Sequence, residues 1–320
     1  MPARQATRKP AGTLLTITPP ADFDLARDVC SYGYFILAPN HWSVADQTLT
    51  RVLHLSDGPA TCVIAQPTNK LSIRFNQTLV PAERYNARQQ ISRMLRLNED
   101  ESHSKAFHKA DKRWRKTGRA RLFRSPTLFE DVIKTVTSCN VAWPSTVNMN
   151  AQLCRHVGVG GAFPTPQKMA RTRLGTLRGR CRVGYRDQRM IDLAKLFAKG
   201  QIDEPWLESP STPDDDVFKF LVSLPGIGPY AAGNIMQLLG RYSRLAIDTE
   251  TVRHGKAVLG MTGTDRQITK KLEAHYEPFG DFKFKSYWFE LWQFYETKRG
   301  PSHLWDREGV GKTFTAAQLQ

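Results

Sequence analysis

The stretch SLPGIGPYAAGNIMQLLGRYSRLAIDTETVRH, Ser223 to His254, decides how this chain is read. It sets Leu224-Pro225-Gly226-Ile227-Gly228 between two apolar runs, VFKFLVS and AAGNIMQLLG, and carries a lone aspartate, Asp248, 18 residues after Tyr230. Glycines tolerate positive φ and, lacking Cβ, let a backbone approach a ligand closely. Followed by a helix N-terminus with unpaired N–H groups and a positive dipole end, their amides suit a phosphate. The plainer alternative is an αα-hairpin closed by a glycine turn. Asp248 also has two readings, an N-cap for the helix ETVRHGKAV or a carboxylate presented to a ligand. The two are compatible, because a cap fixes where the carboxylate stands.

The whole chain limits what this stretch can be doing. Across 320 residues, 46 Lys and Arg face 30 Asp and Glu, a net charge of +16 and a pI near 9.8. Such an excess favours a polyanionic partner such as nucleic acid. No uninterrupted apolar run reaches about 18 residues, which argues against a membrane span. Residues 1–12, within the opening MPARQATRKPAGT, read as a disordered basic tail without an apolar core, an organelle-targeting role being left open. Cys30, Cys62, Cys139, Cys154 and Cys181 form no C-x-x-C pair, so neither a disulfide framework nor a zinc or cluster site is indicated. Reduced thiols and an intracellular setting are expected.

Composition and periodicity change along the chain. TLLTITPP, FILAPNHW and LTRVLHLS read as strands, TCVIAQ and LSIRFN flank PTNK as a hairpin, and ADFDLARDVC reads as a short helix. Residues 13–115 are therefore expected to form an N-terminal β-rich domain with short helices. From ARQQISRMLRL onward the period is helical, and residues 116–320 read as a helical core. Within it the hairpin spans 214–240 and C-terminal helices span 266–298. Ser125-Pro126 and Thr212-Pro213 each read as an N-cap followed by proline at the first helical position. The expected class is α+β, a mainly α-helical two-lobed core preceded by an antiparallel β-rich domain.

Leu224-Pro225-Gly226-Ile227-Gly228 together with Asp248 resembles the helix-hairpin-helix, Gly/Pro-rich loop and aspartate (HhH-GPD) signature of the base-excision DNA glycosylases. TSCNVAW (137–143), FPTPQKMA (163–170), RVGYRDQRMIDLAK (182–195) and YEPFGDFKFKSYWFELW (276–292) extend the resemblance over roughly Ser125 to Trp292. With the β-rich front part, the layout is most similar to the 3-methyladenine and 8-oxoguanine branches. The resemblance implies an enzyme that extrudes a damaged base from double-stranded DNA and breaks its N-glycosidic bond. Asp248 is then the key carboxylate, stabilising oxocarbenium character at the sugar or orienting water. In relatives that also cut the strand, a lysine stands where this chain has Tyr230. A phenol forms no imine, so the implied enzyme is monofunctional. Two alternatives stay open: a silent DNA-binding protein using the same hairpin, and a bifunctional enzyme with a displaced lysine such as Lys256.

The resemblance also assigns backbone and pocket roles. The amides of Gly226, Gly228 and Ala231 would hold a DNA phosphate, and the carbonyls of Val222, Leu224 and Ile227 a monovalent cation. Asn140, with Trp143 beside it, is the candidate to enter the duplex gap or face the orphaned base. A helix-ending Asn and a core Trp are the structural alternatives. Tyr185, Tyr230, Trp288 and Phe289 are candidates for the base pocket, with core packing as the alternative for each. The basic runs Lys109–Arg124 and Arg171–Arg189 read either as phosphate attraction or as solvated faces. No cysteine follows Cys181, so the iron–sulfur loop of other branches is missing and no cofactor is required. The expected partner is duplex DNA with a damaged base, bound by a monomer without membrane contact.

Overall fold

Period-two burial along Thr48–Leu55 turns Leu49, Arg51, Leu53 and Leu55 inward and leaves the residues between them half-exposed. That alternation makes the strand the inner member of a one-sided sheet. The computed structural model describes residues 12–306 and 309–311. The basic tail expected over residues 1–12 thus lies, except for Gly12, outside the described residues. β1 (Leu14–Ile17), β2 (His41–Ser43), β3 (Thr48–Leu55), β4 (Gly58–Ala65) and β5 (Leu71–Phe75) pair antiparallel in the order β1-β5-β4-β3-β2. β4 and β5 form the hairpin read around PTNK, with Ala65 opposite Ser72.

α1 (Leu25–Val29) follows β1 and is capped by Asp24, whose side chain accepts from the Arg27 amide. FILAPNHW departs from the strand expected for it. Gly33–Ile36 is a 3-10 turn, and only His41–Ser43 joins the sheet. Tyr34, Phe35, Ile36 and Leu37 are all buried, and consecutive burial has no place on a sheet with one wet face. The Asn40 side-chain amide closes the turn on the Tyr34 carbonyl at 2.8 Å.

The rest is helical: α2 (Pro81–Met94), α3 (Glu101–Ala110), α4 (Leu128–Ser138), α5 (Trp143–His156), α6 (Pro166–Ala170), α7 (Asp187–Ala198), α8 (Glu204–Glu208), α9 (Asp214–Ser223), α10 (Pro229–Leu239), α11 (Thr249–Ala257), α12 (Asp265–Tyr276) and α13 (Lys283–Arg299). None of the described helices is long and apolar enough to cross a membrane. Two caps differ from the sequence reading. Thr127, not Ser125, caps α4, its hydroxyl oxygen accepting from the Glu130 amide at 3.3 Å, while the Ser125 amide donates to Asp131. Thr212 donates instead to the Trp206 carbonyl, and α9 begins after Pro213 with three aspartates in its first turn, which suit the positive helix end.

The two main apolar cores do not divide the chain near residue 115. One joins the sheet and α2 to α12, α13 and Trp305; the other is built from α4 to α10. The first and last thirds of the chain thus share a core, and the segment between them forms the second lobe. The run Lys109–Arg124 is also less available to a partner than expected. Arg121 is buried against Asp22, and Arg119 and Arg113 pair with Glu296 and Glu290. Arg124 and Arg96 donate to the Leu238 and Gln237 carbonyls at 2.8 and 2.7 Å, satisfying the C-terminal end of α10. Lys112, Arg115 and Lys116 remain exposed.

Lys285 is fully buried, its ammonium 3.8 Å from Glu99 and 4.1 Å from the centre of the Tyr242 ring. Burial pulls its pKa down to about 8 despite Glu99. The unfolded chain, with lysine near its ordinary value of about 10.4, therefore binds more protons than the folded chain above pH 8, and this group makes stability rise with pH. Replacing Lys285 with Met is expected to remove about 1 kcal/mol of that rise between pH 7 and 9. Denaturant melts of both proteins at the two pH values check this, and identical pH profiles would sink it.

Candidate active site

The turn between α9 and α10 is fixed by hydrogen bonds from the Leu224 amide to Leu221 and from the Ile227 amide to Leu224, each 3.1 Å. Gly226 has φ +75°, and a Cβ there would stand 2.5 Å from Cδ of Arg189. Gly228 is extended, caps α10, and is followed by Pro229 at the first helical position. Among the described residues, the amides of Gly226, Gly228 and Ala231 and the carbonyls of Val222 and Ile227 carry no backbone hydrogen bond. The Leu224 carbonyl already accepts from Ile227. Gly226 and Gly228 are exposed, while the Ala231 side chain is buried.

α10 then runs beneath the segment that leads to Asp248. Gly233 makes the approach possible, since a Cβ there would lie 3.2 Å from both Cα and Cβ of Ala246. Asp248 caps α11: one carboxylate oxygen accepts from the Thr251 amide at 2.8 Å and from its hydroxyl at 2.9 Å, and the Asp248 amide donates back to that hydroxyl. Tyr230, one turn before Gly233 on α10, shares a cavity wall with Asp248, and its hydroxyl acts on that carboxylate to lower its pKa. Burial raises the Asp248 pKa above the usual aspartate value, against the lowering effect of the Thr251 bonds and of the Tyr230 hydroxyl. Burial also pushes the Tyr230 phenol well up, with the Asp248 charge adding to it.

Asp248 and Tyr230 open into a cavity of ≈ 360 Å³. Its walls come from the 3-10 turn with Tyr32, from Trp143 at the start of α5, from Asn234, from Glu250, and from one face of α13. On that face Phe284, Trp288 and Trp292 recur every fourth residue and stack, at 6.0 and 5.5 Å between centroids. Tyr32 packs on Trp288 at 4.6 Å, and Trp305 packs on Trp292 at 5.2 Å. The bare Cα of Gly33 lies against the Trp143 ring. Glu250 is held by Arg253 at 2.5 Å and by the Tyr295 hydroxyl.

Two expected pocket residues lie elsewhere. Phe289 faces away from the cavity, 1% exposed, with its ring 5.7 Å from Trp114 and 5.8 Å from Phe107. The cavity face of α13 runs through Phe284, Tyr287, Trp288, Leu291, Trp292 and Tyr295, and Phe289 is turned about 100° past Trp288 on the side away from Tyr287. Tyr185 is 54% exposed and lines a separate groove of ≈ 280 Å³ with Asn140, Arg189, Gly226, Gly228 and Tyr230. Asn140 sits at φ +53° with its side-chain amide 3.4 Å from the Tyr185 hydroxyl. Arg186 is buried and donates to the Val136 and Cys139 carbonyls, tying that loop to the end of α4. Arg171, Arg173, Arg180, Arg182 and Arg189 of the second basic run are exposed. Lys256 is outside the cavity, its ammonium 2.7 Å from Asp265.

Sequence reasoning missed Tyr32, Asn234, Glu250, Trp292 and Trp305. The four-residue aromatic recurrence in α13 is a signal that reaches Trp292. Tyr32 and Trp305 are brought in from opposite ends of the chain by the shared core, and no local pattern marks them.

No family model and no curated protein matches the sequence. Solved structures do share its fold. MBOgg1, solved with a low-affinity DNA ligand, is 19% identical with a TM-score of 0.66, covering 91% of this chain and 97% of that one. The 3-methyladenine DNA glycosylase from Archaeoglobus fulgidus is 14% identical with a TM-score of 0.66, covering 87% and 97%. The Clostridium acetobutylicum 8-oxoguanine glycosylase/lyase is 17% identical with a TM-score of 0.63, covering 86% and 95%. The likeness is in the α+β architecture, helices and antiparallel sheet together.

The two turn glycines separate backbone strain from space. Replacing Gly226 with Ala is expected to lower stability by about 1–2 kcal/mol, because a side chain is disfavoured at that positive φ and meets Arg189. Gly228 has φ −94° and open space around its Cα, so the same change there should cost well under about 1 kcal/mol. Thermal melts of both variants check the order; equal losses would contradict it.

Proposed function

We propose that the chain is a DNA glycosylase that hydrolyses the N-glycosidic bond of a damaged purine turned out of the duplex, without cutting the strand. The observation that carries this reading is the Asp248 carboxylate, half-buried, oriented by Thr251 with Tyr230 on the same wall, and opening on an aromatic cavity beside unpaired hairpin amides. An anion held in such surroundings stabilises positive charge developing at the sugar, or takes a proton from attacking water. Tyr230 stands where a lysine would be needed to form an imine, and Lys256 is turned away to Asp265. These positions favour water as the nucleophile.

The cavity wall favours an alkylated, positively charged purine over a neutral oxidised one. The Trp288, Trp292 and Trp305 indoles donate to the carbonyls of Ser31, Cys30 and Gly300. The Tyr32 and Tyr295 hydroxyls donate to Asn234 and Glu250. The Thr251 proton goes to Asp248, so Tyr287 donates to Thr251. With these donors spent inside the protein, the rings present π faces to the ligand, and such faces attract a cation. On the DNA side, the amides of Gly226, Gly228 and Ala231 would hold a phosphate. The free carbonyls of Val222 and Ile227, with Leu224, would hold a monovalent cation bridging turn and backbone. Asn140, with Tyr185 beside it, would fill the gap left by the base. Exposed arginines between Arg171 and Arg189 would supply phosphate attraction for one chain acting alone.

The test is a panel of duplexes, each with one lesion, treated with protein and then hot alkali. Abasic sites at an alkylated purine are expected, and their absence from every duplex would end the proposal. Replacing Asp248 with Asn should cut base release by at least about 10²- to 10³-fold with DNA affinity little changed. Borohydride should trap no protein–DNA adduct; a trapped adduct would exclude the water-only route.

The pH profile is a separate check. Base release requires Asp248 ionised, so its acid limb should fall above the usual aspartate range, where burial has raised the group. Replacing Tyr230 with Phe removes a hydroxyl that lowers the Asp248 pKa and should move that limb further up. An unmoved limb would separate Tyr230 from the carboxylate.

A further inference from the structure

Asp248 is not the only carboxylate on the cavity wall. Glu250, two residues on, lines the same space, with its side chain 21% exposed. Its place is fixed from behind. The Arg253 guanidinium bonds it through Nε and Nη2, and the Tyr295 hydroxyl donates to Oε1. Arg253 is not part of the wall; it lies over the outer Phe294 ring at 5.0 Å. The cavity therefore meets the acceptor and not its counter-charge. Among the described residues Oε1 takes three donors, two from Arg253 and one from Tyr295, whereas Oε2 takes only the Arg253 Nε. A carboxylate has about four acceptor sites, so Oε2 keeps one for a ligand.

We infer that Glu250 is the specificity-determining residue of the cavity, its Oε2 facing a positively charged, N–H-bearing edge of the extruded base and discriminating it from a neutral base of the same shape. The inference rests on the cavity being the place of that base. Two carboxylates along one wall repel, and the charge of Glu250 adds to the burial that raises Asp248. A cationic base relieves that repulsion and a neutral base does not. Glu250 thus adds to the cation preference of the aromatic faces a directional acceptor that they lack, and it does so without bonding to Asp248.

The full-length chain is titrated at mildly acidic pH with two free bases, 7,9-dimethylguaninium, which keeps its N1–H and net positive charge there, and neutral 9-methylguanine, following quenching of the cavity tryptophans. The wild-type protein should bind the cation roughly tenfold tighter, the lower end for a charge-assisted hydrogen bond because Arg253 stands behind the acceptor. Glu250→Gln keeps the shape and the Tyr295 bond; in it the ratio should fall at least about threefold, toward what the aromatic faces and Asp248 supply, with neutral-base affinity unchanged. Equal binding of the two bases by wild type, a ratio unmoved by the substitution, or a parallel loss for both bases would each overturn the assignment. Lesion excision is assayed separately. Wild-type protein that binds the cation selectively but releases no base would defeat the glycosylase reading and leave Glu250 standing. Excision with no selectivity would do the reverse.

Discussion

A carboxylate survives in an apolar cavity only if something other than water satisfies it, and here that is the reciprocal bonding between Asp248 and Thr251. The cap does two things at once. It starts α11, and it fixes one oxygen of Asp248 so that the rest of the group faces Tyr230 and the cavity. Thr251 is anchored in turn by the Tyr287 hydroxyl at 3.0 Å, which ties the start of α11 to α13 and so to the aromatic wall. The carboxylate and the rings around it are therefore positioned by one hydrogen-bonded chain.

Much of this was legible because local rules agree with the fold. The glycine turn, the Asp248 cap, and the β3–β5 strands follow from residue types at short spacing, and no tertiary contact overrides them. Where reading failed, packing had decided. FILA carries strand-forming residues, yet it folds into a tight turn because four consecutive side chains are buried between the two lobes. Phe289 and Trp288 are indistinguishable as aromatic residues, and only helical phase sends one to the cavity and the other to the Phe107 cluster. Tyr32 and Trp305 lie 273 residues apart, numbers 32 and 305, and no local pattern links them.

Charge was the least readable property, since sequence counts it without saying which way it points. Arg96, Arg121 and Arg124 belong to the basic excess, yet all three are buried. They hold helix ends and acidic side chains in place. Arg51 is likewise drawn inward to Glu130 at 2.5 Å, joining β3 to α4. Part of the net charge of +16 is thus framework, and the outward field depends on the remainder, with the stretch Arg171–Arg189 prominent in it.

The contact between Gly233 and Ala246 gives the site a hard stop. Side-chain packing is compliant, and cores absorb a substitution by small shifts of many atoms. A helix resting on backbone has nothing to yield, so the separation between the Tyr230 helix and the Asp248 segment is set like a machined shoulder. Changes elsewhere in either lobe therefore reach thermal stability first. The spacing of phenol and carboxylate is the last dimension to drift.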